Sequence, residues 1–227
     1  MEMKEILGST LPDFSKKEQQ MLYKALDFIG INHYTSYYAK DCMFSECEPA
    51  RGVTKTEGLY QRNTRKNGVP IGEPTALDWL YVYPQGMESM VTYVKDKYNN
   101  TPIFITENGY VQDSSTNPST IDLLRDFKRV EYMNVYLKAL RQAMRKGGDV
   151  RGYFAWSLLD NFEWNHGYTK RFGLYHVDYA TLKRTPKYST TWYKRYLANQ
   201  MTEQTSGAHE NESISSFGNY VCHPNEY

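Results

Sequence analysis

Three short apolar runs, "DFIGINHYT", "TPIFITENG" and "VRGYFAWSLLDNFEW", constrain this chain more than anything else in it. Each has the length of a buried strand and ends in polar or aromatic residues. Between them, apolar residues recur at helical spacing. Met87, Met90, Val91, Val94 and Tyr98 form one such stripe, and Leu123, Leu124, Phe127, Val130, Leu137, Leu140 and Met144 form the other. Long helices alternating with buried strands mean parallel βαβ units. The second helix is expected over 121–146, stopped by Gly147 and Gly148.

The flanking segments are less regular. Pro12 holds the chain extended, and Ser15 with Glu18 makes an S-x-x-E capping box for a short helix. "TTWYKRYLANQ" reads as a closing helix. Residues 41–76, rich in Gly, Pro and charge, read as a loop too long for an ordinary connection, of the kind that covers a site or sets specificity. The polar composition after Met201 divides the chain into a folded part, 1–199, and a disordered tail, 200–227.

Chemistry-bearing residues fall at the C-terminal end of all three strands: Asn32 and Tyr34, then Glu107, then the segment 156–164. In a (β/α)8 barrel that is the face where active sites form. The fold class expected is therefore α/β, with strand ends placed as in a (β/α)8 (TIM) barrel. Three strands cannot close one, since a complete barrel has eight strands in about 250 residues.

Composition narrows the partners. A formal net charge of +1 gives no reason to expect nucleic acid or an anionic membrane surface. No apolar run approaches a membrane span, and "MEMKEILGST" lacks the basic-then-apolar order of a signal peptide, so the chain as written is expected to be cytoplasmic. Cys42 and Cys47 lack metal-ligand spacing, so neither metal nor cofactor is expected, and a disulfide between them stays open. Aromatic residues reach 15%, with 21 tyrosines, which suits stacking against sugars as well as ordinary half-buried positions.

A lone Glu after a strand most often bonds neighbouring backbone. The alternative for Glu107 is nucleophilic attack on an anomeric carbon, which needs an ionised carboxylate held still beside an apolar wall. Tyr34, from the adjacent strand end, can donate its hydroxyl to that carboxylate and favour its charged form. Trp156, Glu163 and Trp164 add two indoles and a second acid within nine residues. Core packing is the ordinary reading of the tryptophans; the ordered recurrence on consecutive strand ends favours a site.

"ITENG", "WSLLDNFEW" with "GYTKRFGLYHVDY" after it, and "DFIGINHYTSYY" together closely resemble family 1 glycoside hydrolases, and among them the plant β-glucosidases. The resemblance runs from the first residues to about Asn199. It implies a (β/α)8 barrel that cleaves β-glycosides with retention through a glycosyl-enzyme intermediate, on a small-molecule β-glucoside substrate. It implies Glu107 as nucleophile, Tyr34 as its support, and Asn32, Trp156, Glu163, Trp164 and Phe172 as the sugar-binding set, Asn32 and Tyr34 matching an N-x-Y pair that serves nucleophile and sugar together. It also implies Trp79 as a platform for the aglycone.

The family's N-E-P motif, which carries the general acid/base, has no counterpart. "CEP" at Cys47 and "GEP" at Gly72 lie in the long loop, and "PNEY" ends the tail. The chain thus corresponds to about the last three strands of the fold, beginning at an internal segment. Full-length relatives are expected to be secretory, vacuolar or extracellular. The resemblance implies β-glucosidase-type chemistry impaired by the missing half. Three other readings stay open: an inactive isoform, a sugar- or protein-binding remnant, and a half-barrel that needs a complementing N-terminal half. Hydrolase, thioglucosidase and transglucosidase ancestry are not distinguished.

Overall fold

Ile103 and Ile105 alternate with Phe104 and Thr106 along one strand, so the isoleucines take one face and the other two residues the opposite face. The computed structural model describes residues 3–23, 26–42, 47 and 60–206, and in it this strand, Ile103–Asn108, is the centre of a three-stranded sheet. Ile29–Asn32 and Val150–Ala155 flank it, both parallel to it. The expected βαβ order is present: helix Gln85–Lys97 precedes the central strand, and helix Phe127–Arg145 links it to the third.

These helices and the closing helix, Tyr188–Ser206, bury the isoleucine face. Met87, Val91, Ile103, Ile105, Met133, Leu140 and Val150 pack there as one core with Tyr132 and Tyr136. The opposite face is bare. Phe28 and Phe154 are 54% and 52% exposed, with Phe104 between them and its ring 5.3 Å from that of Phe28. Among the described residues, neither outer strand has a further strand beside it. Parallel sheets are normally covered on both faces. Each half-exposed Phe forgoes part of the roughly 1.5–3 kcal/mol that full burial gives.

Several expectations need correction. The helix expected over 121–146 is two helices, Thr120–Leu124 and Phe127–Arg145. The chain leaves helical geometry at Arg125 and Asp126, and the Asp126 carboxylate instead accepts from the Ser189 N–H (2.8 Å) and hydroxyl (2.6 Å) and from Arg129 Nε (2.7 Å). The buried stripe also turns: Phe127 is exposed, while Arg129, Tyr132 and Tyr136 lie inside. Gly147, at φ +90°, ends the helix in the left-handed conformation that favours glycine.

The segment 41–76 is not simply loop. Tyr38–Asp41 pairs with Tyr60–Asn63, Arg65–Lys66 with Val69–Pro70, and Glu73–Pro74 with Tyr81–Val82, all antiparallel. Cys42 and Cys47 are joined by a disulfide. The capping box is formed, with Glu18 Oε2 accepting from Ser15 N at 2.8 Å and Ser15 Oγ from Glu18 N at 3.3 Å. The closing helix runs to Ser206; the rest of the segment expected as a tail lies outside the described residues. No helix among them is long and apolar enough to cross a membrane.

Candidate active site

The parallel register places Asn32 beside Glu107 and carries Trp156 just past the third strand's end, its N–H donating to Asn108 O at 2.9 Å. Tyr34 Oη donates to Glu107 Oε2 at 2.7 Å. Burial, and next the adjacent carboxylate, raise the Tyr34 pKa far above the usual phenol range, so the hydroxyl stays a neutral donor. The Tyr34 ring packs edge-on against Trp79 at 6.1 Å and against Phe172 at 6.0 Å. A carboxylate, its donor and two aromatic walls thus converge from four separate segments.

Tyr34 is itself held from below. Tyr132 and Tyr136, stacked one turn apart on the long helix at 4.1 Å, both donate to the Tyr34 carbonyl, at 2.8 and 3.0 Å. Sequence reasoning missed both, although tyrosines four residues apart inside an apolar stripe signal hydroxyls needing buried acceptors. The Asn-Gly pair after Glu107 has the composition of a turn. Asn108 is instead the buried last residue of the strand. Its amide donates to His33 O (2.7 Å) and Tyr132 Oη (2.9 Å), and its oxygen accepts from Tyr153 Oη (2.7 Å). One side chain therefore pins all three strand ends beside Glu107.

Gly109 follows because nothing larger fits. A Cβ there would lie 1.9 Å from the Trp156 carbonyl oxygen and 2.9 Å from its carbon. Gly109→Ala is expected to destabilise the fold by about 1–3 kcal/mol, the usual range for overpacking. Urea unfolding followed by tryptophan fluorescence would read this, and a wild-type midpoint would refute it.

The remaining site residues are less uniformly gathered. Phe172 is buried and Trp156 half-buried, the latter packed against the core. Glu163 is half-buried; desolvation raises its pKa, with the Glu107 charge adding to this and His166 opposing it. Trp164, at φ +42°, is 83% exposed. Asn32 accepts from Thr106 Oγ1 at 2.6 Å on the bare face of the sheet. Its backbone is in register with Glu107. No cluster of His, Cys, Asp or Glu able to hold a metal occurs among the described residues.

Behind the site lies a buried ionic network. Asp160 accepts from Lys187 Nζ (2.8 Å), Arg171 Nη1 (2.9 Å) and Gly173 N (2.9 Å). Burial alone would raise its pKa, but the Lys187 and Arg171 charges outweigh that and hold it below the usual carboxylate range. Burial, and next the charge of Arg129, press Lys187 down to about 7, with Asp160 pulling the other way. Asp160 also accepts from Arg171 and Gly173, so its carboxylate has donors besides the amine.

Comparison with known proteins places the chain in a family. The model of glycosyl hydrolase family 1 matches residues 1–202, and the chain belongs to that family. It is 53% identical over 203 residues to a rice (Oryza sativa subsp. japonica) protein named "Probable inactive beta-glucosidase 14", covering 88% of this chain and 39% of that protein. It is 51% identical over 196 residues to beta-glucosidase 47 of Arabidopsis thaliana, covering 86% of this chain and 34% of that one. Among solved structures, a rice Os3BGlu6 β-glucosidase mutant in a covalent complex with Glc superposes with a TM-score of 0.77 at 45% identity, over 85% of this chain and 41% of its own. The chain thus spans well under half the length of these relatives, and its described residues form part of their fold, not a complete barrel.

Proposed function

We propose that this chain carries the nucleophile side of a retaining β-glucosidase site. The observation that carries this is the Tyr34–Glu107 hydrogen bond at a barrel-type strand end, walled by Trp79 and Phe172. A Glu107 oxygen attacks the anomeric carbon of a β-D-glucoside and forms a glycosyl ester, while the aglycone oxygen departs with a proton. Glu163, with Trp156 and Trp164, binds the sugar hydroxyls and ring. Water later cleaves the ester with retention. Both steps use a second carboxyl group about 5–5.5 Å from the first as acid and then base. No N-E-P segment supplies it in this sequence, so a complementing N-terminal half is the partner this reading assigns. The Cys42–Cys47 disulfide supports an oxidising compartment over the cytosol on the same reading.

The test uses a 2-fluoroglucosyl reagent with a very good leaving group, which needs little acid assistance. Intact mass should show one added glycosyl unit on the Glu107 peptide, lost in Glu107→Gln, while turnover of ordinary aryl β-glucosides by the chain alone is negligible. Soluble, folded protein that takes no label would overturn the assignment. A sugar-binding role without turnover is the second reading, favoured by the exposed Trp164; measurable glucose affinity without labelling would select it.

A further inference from the structure

Arg129, on the long helix, is 1% exposed, and its side chain is directed at the loops that build the site. A guanidinium has five N–H donors in a fixed fork, and all five are used here. Nε donates to Asp126 Oδ2 at 2.7 Å. Nη1 donates to the Phe172 carbonyl at 2.6 Å and to the Tyr110 carbonyl. Nη2 donates to Gln112 Oε1 at 3.0 Å and to the Arg171 carbonyl at 3.2 Å. Apart from Asp126, every acceptor belongs to one of two segments: the one leaving the Glu107 strand, or the one carrying Phe172.

We propose that Arg129 is a positioning residue for the nucleophile, setting the Glu107 strand end and the Phe172 wall in one fixed relation. The inference rests on the reading of Glu107 given above. Two routes lead from the guanidinium to the carboxylate. One runs through the Tyr110 carbonyl, three residues beyond Glu107 on the same backbone. The other runs through Phe172, whose ring packs at 6.0 Å on Tyr34, the donor to Glu107 at 2.7 Å. Asp126 fixes the fork in turn, being anchored by two bonds from Ser189 at the start of the closing helix. Lysine keeps the charge but has no planar fork, so it cannot span both segments.

Saturation kinetics of the same labelling reagent separate positioning from mere bracing. In Arg129→Lys the maximal labelling rate constant should fall by about tenfold to a hundredfold, since a misplacement near 1 Å costs about 10²-fold. Full labelling should still be reached in time. A reduced labelled fraction with an unchanged rate constant would mean a structural brace only and would overturn the proposal. Should Arg129→Lys fail to fold, Gln112→Ala removes one of the five acceptors and is expected to give a several-fold drop; no drop would overturn it equally.

If the wild-type chain takes no label, the reading of Glu107 fails. The proposed relation between the two segments is then read by amide hydrogen exchange. Residues 110–113 and 171–173 should exchange faster together in Arg129→Lys, with 103–105 unchanged. Equal exchange in both proteins would sink the positioning role independently of any chemistry.

Discussion

Mixed with a separately produced N-terminal half of a family 1 β-glucosidase, this chain should hydrolyse an aryl β-glucoside that neither part hydrolyses alone. The three-stranded sheet presents two open edges and a bare inner face with Phe28, Phe104 and Phe154 on it. Parallel strands laid against both edges would satisfy the edge N–H and C=O groups and bury those rings, which is a driving force for docking. Docking would also bring the acid/base carboxyl opposite Glu107. General acid catalysis typically contributes about 10²–10⁴-fold, so the gain on a poor leaving group should be at least of that order. It should vanish when Glu107→Gln is made in this chain, because no covalent intermediate can then form. A soluble complex of the two parts with no turnover would defeat the expectation.

The sheet, its parallel sense and the clustering of Asn32, Tyr34, Glu107 and Trp156 at one end were legible in the sequence because each follows from local pattern. Buried strands read as apolar runs, and the residue after the run marks the end. Segments whose conformation is decided by a distant partner were not legible. Asp126 sits between helical stretches and looks like one more polar helix position, yet its partner Ser189 lies 63 residues on. Arg129 falls on an apolar stripe and reads as a surface charge until the carbonyls of Tyr110 and Phe172 are placed beside it. The two-residue strands within 41–76 carry almost no periodicity, and only their pairing defines them.

The same distinction applies inside the site. Tyr34 donating to Glu107 could be reasoned from adjacent strand ends and the chemistry of a carboxylate that must stay charged. The wall formed by Phe172 was legible only through the family resemblance and not from local pattern, since it depends on a turn that returns the chain past Asp160 and Gly173. A Cβ on Gly173 would lie 2.1 Å from the Asp160 N. Asn108 shows how little sequence context separates a turn residue from a hub. "ENG" looks like a strand followed by a tight turn, but the asparagine amide is buried and satisfied by three different elements.

Asp160 should be the most costly single side chain to neutralise. It lies with Lys187 in full burial and accepts from Lys187, Arg171 and the N–H of Gly173, so Asp160→Asn leaves the Arg171 cation and the Lys187 amine facing an amide that brings donors of its own. Breaking a buried pair from one side typically costs about 3–5 kcal/mol, a large share of the roughly 5–15 kcal/mol that holds a domain together. The pH dependence has a definite sign. Because the folded pKa of Asp160 is lowered, the unfolded chain binds the proton first as pH falls. Its stabilisation is complete above the unfolded value of about 3.9 and is lost as pH drops through the lower folded value. Urea unfolding of the wild type should therefore weaken steeply below about pH 4, with part of that slope missing in Asp160→Asn. A variant within about 1 kcal/mol of the wild type at pH 7, well below the range for broken buried pairs, would show that Arg171 and Lys187 find other partners and that the network is not what fixes the Phe172 turn.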